Sequence, residues 1–164
     1  MKRLFFIEAN SGVYEINLND NTKKCLLHIN ECCFLDGKPS KFLDDLAIVE
    51  EFEDKDGVLE ASGNVLIYIT DVSRKFPLSM WTYSLLEPDY SGRVIRFDSK
   101  TNTSTVVLEN LCFPNGIEVS RDKKSLLICE LAKRRIIKHD IDGDFKGRTS
   151  ILIDNLPGEP ENIR

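Results

Sequence analysis

Apolar residues along this chain gather in short runs closed by turn residues, with period-two spacing more often than helical spacing. Leu4-Phe-Phe-Ile-Glu8, Leu66-Ile-Tyr-Ile-Thr-Asp71 and Leu126-Leu-Ile-Cys-Glu130 are apolar runs that each reach an acidic residue. A second strand-like run follows each of them: Gly12 to Ile16, Gly92 to Asp98 and Arg135 to Asp140. A third comes after that, at Lys24 to Leu27, Thr105 to Leu108 and Ser150 to Ile153. Such runs, rich in β-branched and aromatic residues and bounded by Gly, Asn and Asp, predict strands.

A connector then leads into a fourth element, opening at Asp44-Asp45-Leu46, at Asn115-Gly116-Ile117 and again at Glu161-Asn162-Ile163. From Asn115 to Asn162 is 47 residues, close to the roughly 40–50 residues of one four-stranded propeller blade. The longer interval from Asp44 to Asn115 is attributed to an insertion over Val72 to Ser91. A β-sandwich also spaces short strands regularly, but it does not require polar residues to recur at one repeat position. The expected fold is therefore all-β, a partial six-bladed β-propeller of about three blades of four-stranded antiparallel sheet. It occupies residues 1–164, with blade boundaries near 43, 114 and 160. A closed ring needs more blades than this, so the chain is expected to be a fragment. Its open edges would have to be covered by missing blades or by self-association.

Composition removes several alternatives. With 41% hydrophobic and 30% charged residues the chain is that of a globular protein. A net charge of −5 gives no electrostatic footprint for nucleic acid. No apolar stretch approaches the roughly 18 residues needed to span a bilayer, and the basic–apolar start is ended too early by Glu8 and Asn10 to be a signal peptide. Cys25, Cys32, Cys33, Cys112 and Cys129 form no C-x-x-C pair, and His28 and His139 lie far apart, which argues against zinc. His139 alternates with apolar neighbours and is expected to face solvent. Asn102-Thr-Ser is a glycosylation sequon, relevant only in the secretory pathway.

The first residues of innermost blade strands converge on one mouth of the channel. Asp44, Asn115 and Asn162, with Asp45 and Glu161 as weaker candidates, offer oxygen ligands without thiolate or imidazole. That set suits a hard cation such as Ca²⁺. Asn, Asp and Gly are equally at home as turn residues at loop-to-strand corners, and spacing does not decide between the two. The insertion holds Phe76, Trp81 and Tyr83, which form either a substrate rim or a short helix packed on the strands. Glu8, Asp71 and Glu130 are either acids and bases near the channel or polar strand ends. No catalytic residue can be named from these patterns.

Phe42-Leu-Asp-Asp-Leu46, Ile67-Tyr-Ile-Thr-Asp71-Val-Ser73, Gly92-Arg-Val-Ile-Arg-Phe-Asp98, Phe113-Pro-Asn-Gly-Ile117 and Leu156-Pro-Gly-Glu-Pro-Glu-Asn-Ile-Arg164 occur in order. Together they resemble the strictosidine-synthase-like family, and most of all its animal, membrane-anchored branch. The resemblance implies a six-bladed propeller with a channel calcium, one ligand being the Asn of the Pro-Asn-Gly corner, here Asn115. Asp44 and Glu161 depart from the usual family residues at their corners. The resemblance further implies arylesterase-like hydrolysis of a small-molecule ester by a lumenal or extracellular propeller, whose anchor lies outside this sequence. The paraoxonase-type histidine is replaced by Ala9-Asn10. A non-catalytic binding propeller is the alternative, and a strictosidine-synthase-type carbon–nitrogen lyase the third reading.

Overall fold

The computed structural model describes residues 2–31, 37, 39–87 and 89–164, so Cys32 and Cys33 fall outside the described part. The expected runs form three antiparallel meanders. The first holds β1 (Arg3–Glu8), β2 (Gly12–Asn17) and β3 (Thr22–His28). The second holds β4 (Phe42–Lys55), β5 (Val58–Ser73), β6 (Gly92–Asp98) and β7 (Thr103–Leu111). In the third are β8 (Pro114–Val119), β9 (Ser125–Glu130), β10 (Arg135–Asp140) and β11 (Thr149–Ile153). Strands adjacent in sequence are adjacent in each sheet, and β4 packs between β1 and β8. These are successive blades of a β-propeller.

The middle sheet explains why β5 reads as an unbroken apolar run. Its odd positions, Val65, Ile67 and Ile69, join Leu43, Ile95, Phe97, Val13 and Leu27 in the core against the first sheet. Tyr68 on its other face joins Val94, Ile117, Leu126, Ile128 and Ile137 in the core against the third sheet. A strand buried on both faces has no polar alternation to show. Each fully buried Ile or Leu here contributes about 1.5–3 kcal/mol relative to exposure. A third cluster, Phe42, Val72, Phe113 and Leu131, closes the end of the sheets where β4 and β8 begin.

Two expectations need correcting. The long interval between Asp44 and Asn115 is not made by the insertion alone. β4 and β5 are 14 and 16 residues long, against 6 each for β8 and β9. Their extra length forms a two-stranded ribbon beyond the Leu66–Asp98 pair, where β6 ends. The second correction concerns His139, which is 5% exposed. It follows Ile137 on the face of β10 turned to the middle sheet, and its Nδ1 is 2.9 Å from Thr149 Oγ1.

Candidate functional site at the mouth of the inner strands

Strand register creates the same irregularity twice. Leu43 pairs with Asp71 and Leu46 with Ile69, so β4 carries one residue more than β5 between those pairs, and Asp44 and Asp45 bulge. Pro114 pairs with Glu130 and Ile117 with Ile128, which puts Asn115 and Gly116 in the equivalent bulge of β8. A bulge releases side chains from the ladder and re-aims them, and bulges are common beside active sites. Pro160-Glu161-Asn162-Ile163 repeats the pattern of Pro114-Asn115-Gly116-Ile117. The Gly116 N–H donates to the Glu161 carbonyl at 2.7 Å. A Cβ on Gly116 would lie 2.3 Å from that carbonyl oxygen, so this close approach requires glycine. The repeat thus gives Asp44, Asn115 and Glu161 one position and Asp45, Gly116 and Asn162 the next.

Asp44 is half-buried and borders a cavity of about 220 Å³ with Phe5, Ile7, Asp45, Leu46 and Arg164. Burial raises its carboxyl pKa to about 6, reinforced by the negative charges of Asp45 and Glu161. Asp45 is committed elsewhere. Its Oδ2 accepts the Ile117 N–H at 3.1 Å and Arg164 Nη1 at 3.1 Å, while its own N–H donates to Thr70 Oγ1 at 2.9 Å. It therefore ties β4 to β8 and to the last residues of the chain. Asn115 is half-buried, and Glu161 and Asn162 are exposed. Among the described residues no three His, Cys, Asp or Glu side chains form a metal-binding group. The oxygens at this mouth are instead a mixture of carboxylate and amide.

The insertion packs over the same end of the sheets. A 3₁₀ turn (Leu78–Met80) leads into α1 (Trp81–Leu86). Leu78 and Leu85 pack on the cluster of Phe42, Val72, Phe113 and Leu131. Phe76 is buried and its ring stacks on Tyr83 with centroids 6.0 Å apart. Trp81 and Tyr83 are 46% and 53% exposed, so the two rim candidates that reach solvent are these.

The acidic strand ends are held as ion pairs. Asp71 is fully buried; its Oδ2 accepts from Arg93 Nε at 2.7 Å and from the Ser40 hydroxyl at 2.6 Å. Its Oδ1 has no hydrogen-bond partner among the described residues. Burial raises the Asp71 pKa, against the opposing pull of Ser40 and Arg93. Glu130 repeats the arrangement, accepting from Arg135 Nε at 2.5 Å and from the Cys112 N–H at 2.8 Å. In both blades the arginine sits directly across the ladder from the acid. Sequence reasoning missed these arginines, although each stands at the start of the third strand of its blade. Glu8 lies opposite Gly12 and is exposed.

Sheet order, blade packing and the repeated inner-strand bulge define a propeller whose oxygen-bearing corners gather at one mouth. The chain matches the strictosidine synthase family over residues 57–144 and belongs to that family. It is 33% identical over 161 residues to the adipocyte plasma membrane-associated protein of Bos taurus, covering 98% of this chain and 36% of that protein. It is 39% identical over 129 residues to strictosidine synthase-like protein 6 of Arabidopsis thaliana, covering 79% of this chain and 34% of that one. The chain thus spans about a third of the length of these curated relatives. Among solved structures it is similar to regucalcin from Agrobacterium tumefaciens, described as a calcium-binding protein. That match has a TM-score of 0.55 at 12% identity and covers 91% of this chain and 41% of regucalcin. At that identity the likeness shows the propeller fold alone. No helix among the described residues is long and apolar enough to cross a membrane.

Proposed function

We propose that these blades belong to a complete propeller that hydrolyses a small-molecule ester with the help of a calcium ion at the mouth of the inner strands. The observation that carries the reading is the recurring bulge, which presents Asp44 and Asn115 at equivalent positions, with Glu161 at the third. Crowded negative charge on a half-buried carboxyl is what a cation relieves, and Asp44 has that surrounding. Asp44, Asn115 and Asn162 would hold the ion, together with Glu161 at the position equivalent to Asn115 and with Asp45 behind them; all are hard oxygen donors. Bound there, calcium would supply Lewis-acid polarisation of a substrate carbonyl. Trp81 and Tyr83 offer an aromatic surface for the apolar part of the ester. Asp71 and Glu130, paired with arginines, hold the strand ends in place and do not act as bases in this reading. The exposed Asn102 turn between β6 and β7 is open to glycosylation, and the relatives' names support work at a membrane surface.

The alternative, a binding propeller without catalysis, draws support from Asp45, whose carboxylate is used to join strands. The test is hydrolysis of phenyl acetate by the complete propeller. We expect turnover that chelation abolishes, and that Asn115→Ala lowers at least about tenfold, the loss of one ligating interaction being worth 1–3 kcal/mol. Turnover indifferent to both would reject calcium assistance, and no turnover would favour the binding role.

A further inference from the structure

At the opposite end of β6 from the mouth, a second site is built between the middle and third sheets. β6 begins beside Asp71 with Arg93, and Arg96 lies further along, on the other face of the strand, opposite Tyr68. Its side chain lines a cleft of about 190 Å³ together with Tyr68, Val107, His139 and Lys146. The cleft shares Val107, His139 and Gly147 with a wider groove of about 550 Å³ that runs along β7 to Thr149. Arg96 Nε is buried and has no hydrogen-bond partner among the described residues. A guanidinium N–H withdrawn from water and left without an acceptor is costly; Arg96 as a whole is half-buried, whereas the fully buried arginine of this strand, Arg93, is held by Asp71.

Around Arg96 stand groups able to donate. Burial raises the Tyr68 phenol pKa, so its hydroxyl keeps its proton. Thr149 Oγ1 bonds one ring nitrogen of His139, leaving the other for a ligand. Lys146 is exposed at the entrance. Of the carboxylates nearby, Asp140 is tied to Ser125 at 2.8 Å and to Lys138 at 3.0 Å. Glu51 accepts from Asn64 at 2.5 Å, and Asp142 stays exposed. Val107 and Ile141 supply apolar wall.

We propose that this inter-blade cleft binds a small organic oxyanion, a carboxylate or a phosphate monoester, with Arg96 as the anchor and an apolar body against Val107. Guanidinium groups pair with planar or tetrahedral oxyanions through parallel N–H donors. The cleft lies wholly within residues of the second and third sheets, so it is independent of the calcium proposal and of ring closure.

The test follows the Val107 and Ile141 backbone amide resonances, which every variant below retains, in the full chain during titration with phenyl phosphate, benzoate and inorganic phosphate. We expect a saturable shift with one of the two aromatic probes, which also tells phosphate from carboxylate preference, and weaker binding of inorganic phosphate. Arg96→Lys, which keeps the charge and loses the fork, is expected to weaken binding at least about tenfold. Lys146→Gln, on the exposed entrance, should weaken it by a smaller factor and leave the fold intact. Lys100→Gln, remote from the cleft, should change nothing. Shifts that fail to saturate with all three probes, or affinity equal in Arg96→Lys and the parent chain, would overturn the proposal.

Discussion

Replacing Arg93 by Met is expected to cost about 3–5 kcal/mol of unfolding free energy, the largest effect of any single substitution proposed for this chain. Arg93 and Asp71 are both fully buried, and the guanidinium Nε lies 2.7 Å from Asp71 Oδ2. Asp71 already has one oxygen without a partner among the described residues. Removing the arginine leaves a buried carboxylate whose remaining hydrogen bond among the described residues is from the Ser40 hydroxyl, with the Arg74 charge as lesser support, so Asp71 must take up a proton or admit water. A loss of this size is comparable with the whole stability of many domains, about 5–15 kcal/mol. Urea unfolding measures it directly. The double variant Arg93→Met with Asp71→Leu should recover most of the loss, because two apolar groups of similar volume replace the pair. A single-variant loss below about 1 kcal/mol would mean that the pair is solvated in solution.

Asp44→Asn is expected to act in the opposite direction, raising stability at neutral pH. The folded chain holds the Asp44 pKa at about 6, above its ordinary value of 3.8, because of burial and the charges of Asp45 and Glu161. Below about pH 4 the group is protonated in both folded and unfolded chains and contributes nothing to the difference. Between about pH 4 and pH 6 the unfolded chain ionises first, so stability falls as pH rises; above pH 6 the loss is complete. The displacement corresponds to about 3 kcal/mol by the usual conversion, and to about 2 kcal/mol after allowance for the solvent that a half-exposed group retains. Other aspartates, among them Asp20, Asp122 and Asp140, have lowered pKa values and act with the opposite sign. They cancel when the two proteins are compared. Thermal melts at pH 3 and pH 7 should therefore show equal stability at pH 3, below both pKa values, and a more stable Asn variant at pH 7. Equal melting at both values would contradict the crowding of negative charge at this mouth.

Much of the fold was legible because blade strands repeat the same polarity in the same order. Leu4, Leu66 and Leu126 begin runs that lie within β1, β5 and β9, each run reaching an acid. The ribbon beyond Glu50 was not legible, since Glu50, Glu51, Glu53 and Asp54 give a charged stretch with no buried face to set a period. A two-stranded ribbon needs no such face when the rest of its sheet anchors it. The corner residues were visible as a repeated motif, but not the bulge that makes Asp44 equivalent to Asn115; that takes strand register. The same holds for the ion pairs. Asp71 and Arg93 are 22 residues apart, and only the ladder shows that they face each other. His139 was misread because alternation on a strand identifies two faces without saying that the neighbouring blade covers one of them.

The central claim, that oxygen ligands at the mouth of the inner strands hold calcium, is tested most directly by calorimetric titration of the complete propeller with Ca²⁺. The account predicts one saturable site, weakened at least about tenfold by Asn115→Ala and by Asp44→Asn, and unchanged by Arg96→Lys in the distant cleft. Absence of saturable binding, or equal affinity in the parent and the Asn115→Ala variant, would contradict it and leave the recurring corners as structural turns.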